Sequence, residues 1–357
     1  MPCLALSLLL LAVGCGSPQL EEDGTGMLPG IAAWPEPELD AAYAKYGKLK
    51  LSEYGFFQGP LRELNPAEGV LPYAVASPLF SDYAGKSRFV YLPAGESMDF
   101  REREVFGFPV GSVLIKHFYY SAAQLQGDED LILETRLLLH ESEGWKALPY
   151  VWNAEQTEAF LDIAGGARQV SLPDKGSFRY SIPTMQQCKS CHEHHGAMRP
   201  IGPVAHQLDF AVKGAEHTQL QAWHGAGLLE GLEDHAGHGG AIAYGDHSQT
   251  LQLRARSYLD SNCAYCHNPA GSAKNSGLDL RLFAESDYAL GIGKKPVAAG
   301  QGSGGLHYDI VPGQPEASIL YHRMASTEPA VMMPELGRSL VHEEGLQLIH
   351  DWIAALE

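Results

Sequence analysis

The chain has 357 residues, room for two or three domains of about 100–200 residues each, and 45% of them are hydrophobic, which excludes disorder as the main state. With 25 Lys and Arg against 43 Asp and Glu the formal charge is −18. No basic cluster interrupts that excess along the chain, which argues against nucleic acid or an anionic lipid surface as partner and leaves a cationic or weakly charged one.

Residues 1–15 read as an export signal, because Leu4 to Val13 is a short apolar run ending in the small residues Gly14, Cys15 and Gly16. Ten apolar residues cannot span a bilayer. The stretch Leu11-Ala12-Val13-Gly14-Cys15 resembles a bacterial lipoprotein signal, in which Cys15 is lipidated, although no Lys or Arg precedes it and Ala12 stands where leucine is usual. A plain cleaved signal is the alternative. Either way the expected location is outside the cytoplasm, periplasmic with an outer-membrane lipid anchor, and that anchor is the sole membrane contact expected. Residues 16–45, with Glu21-Glu22-Asp23-Gly24 and Pro35-Glu36-Pro37-Glu38, read as a flexible linker.

Residues 46–183 carry short apolar runs punctuated by Gly, Pro and Asp, the pattern of an all-β domain. The expected strands are Arg88 to Leu92, Ser112 to Tyr120, Leu131 to His140, Ala147 to Trp152 and Phe178 to Ile182. Alternation puts Leu131 and Leu133 on one face and Glu134 and Arg136 on opposite or solvated positions. Two stacked sheets are the usual cover for such strands, so a sandwich-like domain is expected. From residue 184 the texture changes to helices and long loops. Leu251, Ala255, Tyr258, Leu259 and Asn262 recur at helical spacing and lead into Cys263, and Leu346, Ile349, Trp352, Ile353 and Leu356 mark a C-terminal amphipathic helix. The expected fold is therefore multidomain: the all-β domain followed by two mainly helical regions, at 184–249 and 250–357.

The chemistry lies in the cysteines. Besides Cys3 and Cys15 there are four, in Cys188-Lys189-Ser190-Cys191-His192 and Cys263-Ala264-Tyr265-Cys266-His267. Both fit the pattern for covalent attachment of haem c. Two thiols three residues apart can each take one vinyl group on one porphyrin edge, and the next histidine then projects its imidazole under the iron. Two covalently bound haem c groups are thus expected on Cys188, Cys191, Cys263 and Cys266, with His192 and His267 as axial ligands, which makes 184–249 a first haem region and 250–357 a second, cytochrome c-like haem domain. The chemical rival is a four-thiolate zinc site. A thioredoxin-like redox pair would need a βαβ setting that is absent.

A sixth ligand for the second haem is offered by Met333, which precedes Pro334 ahead of the C-terminal helix, with Met332 and Met324 as alternatives and core packing as the bland reading of all three. A thioether ligand favours ferrous iron and raises the potential. For the first haem no methionine occurs between Met198 and Met324. Met185, Met198 and the histidines His194, His195, His206, His217, His224, His235, His238 and His247 leave bis-histidine, His/Met and five-coordinate states open.

Several stretches, among them Ser77-Pro78-Leu79-Phe80-Ser81-Asp82-Tyr83, Leu148-Pro149-Tyr150-Val151-Trp152-Asn153 and Met333-Pro334-Glu335-Leu336-Gly337-Arg338, resemble an uncharacterised family of bacterial dihaem c-type cytochromes with an N-terminal β-rich domain. The C-terminal half is similar to cytochrome modules attached to quinoprotein sugar dehydrogenases, which implies redox partner proteins such as a periplasmic dehydrogenase. The expected function is carriage of single electrons between extracytoplasmic partners, by an electron-transfer protein more than by a catalyst. The alternatives are a dihaem peroxidase-like enzyme with an open first haem, and a glycan- or protein-binding β domain with accessory haems, for which Trp145, Tyr150 and Trp152 would form the platform.

Overall fold

The apolar runs pair into one antiparallel sheet in the computed structural model, which describes residues 41–232 and 240–357. Its six strands are β1 (Val70–Tyr73), β2 (Gly85–Tyr91), β3 (Val113–Tyr120), β4 (Leu131–Glu141), β5 (Gly144–Trp152) and β6 (Ala159–Leu161), side by side in chain order. Strands adjacent in sequence need only short connections to pair in this way. A separate hairpin follows, β7 (Gly166–Leu172) and β8 (Gly176–Ile182). The helices that position the site are α1 (Met185–His192), α2 (Ala205–Leu208), α3 (Gln219–Gly225), α4 (Leu251–Asn262), α5 (Ile319–Ala325) and α6 (Glu343–Ala354). The export signal with Cys15, the linker as far as residue 40, and His235 and His238 lie outside the described residues.

Both faces of the sheet are covered. On one, Ile115, Leu137, Leu148, Tyr150 and Trp152 pack with Leu51 and Phe56. On the other, Val90 and Leu114 meet Ala205 and Leu208 of α2 and Leu220 and Trp223 of α3. Further along that face Phe118, Leu131 and Val151 meet Val170, Phe178 and Tyr180 of the hairpin. Each such aliphatic or aromatic side chain contributes about 1.5–3 kcal/mol when buried, so the segment carrying α2 and α3 gains its core by sharing the sheet's. The last hundred residues have a core of their own, in which Ala255 and Leu259 of α4 meet Leu348, Ile349 and Trp352 of α6. Gly345 permits the close approach of the two helices, because a Cβ there would collide with the Tyr258 hydroxyl.

This architecture corrects the expected division into a sandwich-like domain and two mainly helical cytochrome domains. Helix and strand are nearly equal, at 26% and 25%, around one six-stranded sheet. The second sheet face is covered partly by the β7–β8 hairpin and partly by residues after 183, whose helices up to α3 are too short to enclose a core alone. A second correction concerns β4. A register shift between Phe118 and Tyr119 inserts Leu133 as an extra residue, so Glu134 faces the same way as Phe118 and Leu131 and is fully buried rather than solvated. The proposed aromatic platform is overturned too: Tyr150 and Trp152 are fully buried, and Trp145 is stacked on His140 at 4.5 Å.

The loop between β1 and β2 reaches across to the C-terminal half. Ser77 Oγ donates to Ser257 O at 3.1 Å, Phe80 N to Asn262 Oδ1 at 2.8 Å, and the Asp82 carboxylate accepts the Ser339 and Leu340 N–H groups at 2.7 and 2.8 Å. Those bonds fix the far half against the sheet.

Under the first face, Trp152 Nε1–H donates to Thr135 Oγ1 at 2.8 Å, and that hydroxyl shares a hydrogen bond of 2.6 Å with His117 Nδ1. Burial keeps the His117 ring neutral by pushing its pKa down to about 3. A group whose folded pKa is depressed below its unfolded value of 6.5 contributes stability that is complete above pH 6.5 and is lost as pH falls toward 3. Urea titrations should therefore show stability dropping across this window by up to about 1.4 kcal/mol per pH unit from this group, and His117→Phe should flatten that component.

Candidate functional site

The first motif is carried on α1. Its start is fixed by a reciprocal cap: Thr184 Oγ1 accepts from Gln187 N at 3.0 Å and Gln187 Oε1 accepts from Thr184 N at 2.9 Å. Helical spacing then puts Cys188, Cys191 and His192 on one face, three and four residues apart, and the helix lies against β5. Past the helix the chain turns through the pair Glu193–His194 and Ala197–Met198. Arg199 O thereby comes to accept the His192 Nδ1–H at 2.9 Å.

The second motif extends α4. Thr250 caps that helix, and Arg256 holds its flank by donating to the carbonyls of Arg281, Leu282 and Ala284. Backbone turns continue past its end, with His267 N donating to Cys263 O at 2.9 Å. Ser276 Oγ–H donates to Ala273 O at 2.7 Å, so its oxygen is left to accept the His267 Nδ1–H at 3.0 Å. The two motif histidines are thus held alike: Nδ1 is used on the protein, which leaves Nε2 with its lone pair available to a metal. Burial lowers both to about 4, so both are neutral at physiological pH.

The two motifs, remote in sequence, meet. Cys191 and Cys266 lie close enough to act on one another, which pulls the Cys266 thiol down to about 7 and pushes that of Cys191 up. Cys266 Sγ also lies 3.8 Å from Ser190 O. All four motif cysteines are free thiols. Among the described residues no three His, Cys, Asp or Glu side chains converge as metal ligands, so the thiolates are not gathered around one point as a zinc site requires.

A cavity of about 630 Å³ opens beside the second motif, within the usual range for a cofactor pocket. Cys263, Cys266, His267, Met324 and Met333 all line it, Met332 does not, and Ser190 and Cys191 of the first motif line it too. The donor set and the space fit a porphyrin that thioethers on Cys263 and Cys266 would hold, with His267 and Met333 available to its iron.

Arg338 holds the Met333 segment in place. Its guanidinium donates to Met333 O at 2.8 Å, Ser326 O at 2.8 Å and Leu340 O at 3.1 Å, and it is itself buried. Motif spacing gave no sign of Arg338, nor of Phe80 and His342, which line the cavity and stack at 4.3 Å. Arg338 and Phe80 do stand within the stretches that carry the family resemblance.

The first motif faces the sheet. Lys116 and Arg136 lie near enough to His192 to lower its pKa, and Arg136 acts on Cys188 and Cys191 as well. Burial and like-charged neighbours push Lys86 down to about 7 and Lys116 well below the usual lysine range. The candidate distal ligands of this motif scatter. His206 Nε2 is 2.9 Å from Asp260, His224 Nδ1 bonds Leu229 O, His217 and His247 are exposed, Met185 packs in the sheet core, and Met198 is in the short strand pair. His194 and His195 stand edge to face with each other at 4.8 Å.

Comparison with family models, with curated proteins and with solved structures returns no match for this chain. Among the described residues no helix is long and apolar enough to cross a membrane.

Replacing Arg338 by Met leaves several buried carbonyls without donors, each costing about 1–3 kcal/mol. Urea unfolding of Arg338→Met should show a loss of about 2–4 kcal/mol, and Arg338→Lys a smaller one, because an ammonium reaches fewer of those carbonyls.

Proposed function

We propose that the protein is an extracytoplasmic dihaem c-type cytochrome that carries single electrons between redox partner proteins. The observation that carries this reading is the meeting of two Cys-x-x-Cys-His motifs at one cavity, where Cys266 Sγ lies 3.8 Å from Ser190 O and each motif histidine is held through Nδ1. When bound, haem c supplies a one-electron ferric/ferrous couple. The chain's part is to anchor, orient and enclose: Cys188 and Cys191, Cys263 and Cys266 make the covalent bonds, and His192 and His267 hold the irons. Met333 supplies a thioether that favours the ferrous state. Closely set attachment points shorten the path on which electron exchange between the two groups depends. The family resemblance supports the same reading, and it supports partners such as a periplasmic dehydrogenase as donor. Export with a lipid anchor on Cys15 belongs to the proposal, since c-type attachment takes place outside the cytoplasm.

Protein produced with a haem-attachment system should contain two haems per chain by pyridine haemochrome assay and should stain for haem on denaturing gels. The pairs Cys188→Ala/Cys191→Ala and Cys263→Ala/Cys266→Ala should each retain one. Colourless wild-type protein, or zinc in place of iron, would sink the proposal. A second expectation concerns the ligand: Met333→His should abolish the methionine-to-iron charge-transfer band of the oxidised protein and lower one of the two potentials, whereas Met332→His should do neither.

A further inference from the structure

Across the middle of the sheet face that meets the C-terminal half runs a row of cations. Arg88 of β2 is directly opposite Lys116 of β3, which is directly opposite Arg136 of β4. Lys86, two residues from Arg88, shares the face. Like charges placed opposite one another repel, and a chain with 43 acidic residues could readily have supplied partners. The carboxylate on this stretch of the face, that of Glu134, is taken up by Arg136 at 2.6 and 2.9 Å and by the Tyr180 hydroxyl at 2.8 Å. Lys116 makes no hydrogen bond or ion pair among the described residues. Lys86 and Arg88 reach only main-chain oxygens, of Ala84 at 2.8 Å and of Lys86 at 3.5 Å. Lys86, Lys116 and Arg136 crowd around the Phe118 ring at 5.9, 4.9 and 4.2 Å, a contact that brings no countercharge.

The row has a direction relative to the first motif. Helix α1 lies against β5, so strand order places Arg136 of β4 nearest to the motif, Lys116 of β3 next and Arg88 of β2 farthest. Strand spacing puts Arg88 about 10 Å from Arg136. On a porphyrin the vinyl groups that become thioethers and the two propionates lie at opposite edges, with the iron between. The order thiols, histidine, far edge is therefore the order Arg136, Lys116, Arg88.

We propose that Arg88, with Lys86 and Lys116, forms the seat for the propionate carboxylates of the haem held by Cys188 and Cys191. This rests on the first motif being a haem attachment site. Lys86, Arg88 and Lys116, which form no ion pair among the described residues, receive the two negative charges that the cofactor brings with it.

The test is a spectroelectrochemical titration of the dihaem protein, in which the first haem is the step that Met333→His leaves in place. A cation beside the propionates favours the reduced iron. Arg88→Leu should therefore move that step to more negative potential by about tenfold in the one-electron equilibrium, ~59 mV, and leave the other step unmoved. Arg88→Lys should restore most of the shift. Lys116→Met should act in the same direction and serves as the second variant should Arg88→Leu fail to fold. Variants that keep two haems and show an unchanged first step would overturn the seat while leaving the cytochrome reading intact. Wild-type protein without covalent haem would overturn both.

Discussion

Covering both faces of the six-stranded sheet is the constraint from which the rest of the structure follows. A sheet whose outer rows present Val90 and Leu114 at one end and Phe118 and Val151 at the other cannot leave that face to water. The chain meets the requirement by folding its second half back over it. Helix α1 then comes to rest on β5, and the first Cys-x-x-Cys-His motif arrives next to the sheet. The site is thus a by-product of where apolar area had to be buried, with its polar details added on top.

Those details are of one kind: main-chain groups held by a few buried polar side chains. Asp82 grips the N–H groups of Ser339 and Leu340, and Arg338 grips the carbonyls around Met333 from the other direction. Between them they immobilise an otherwise irregular segment at both polarities of its backbone, which is how a loop without regular hydrogen bonding can present a thioether to a cavity.

How far the sequence was legible varied with the range of the interaction. Strand positions, the helix that runs into Cys263 and the C-terminal helix could be read because each depends on local periodicity. The two Cys-x-x-Cys-His motifs were legible because their spacing is set within five residues. The association of the two halves was not, since apolar texture shows that a strand will be buried but not by what. Leu133 illustrates a second kind of failure: one inserted residue reversed the facing of Glu134 without altering the composition of β4. The cations show a third. Arg88, Lys116 and Arg136 are isolated along the chain, and the absence of any basic run in the sequence was correct, yet strand pairing assembles them into a row.

The walls of the cavity come from everywhere: Phe80 from the loop between β1 and β2, Ser190 and Cys191 from α1, Met333 and His342 from the far end. The change of texture after Pro183 therefore marks no clean seam. Severing the chain there would bare the stretch of sheet around Val90 and Leu114 and take Phe80 from the pocket, so neither half could be transplanted or inherited intact without the other.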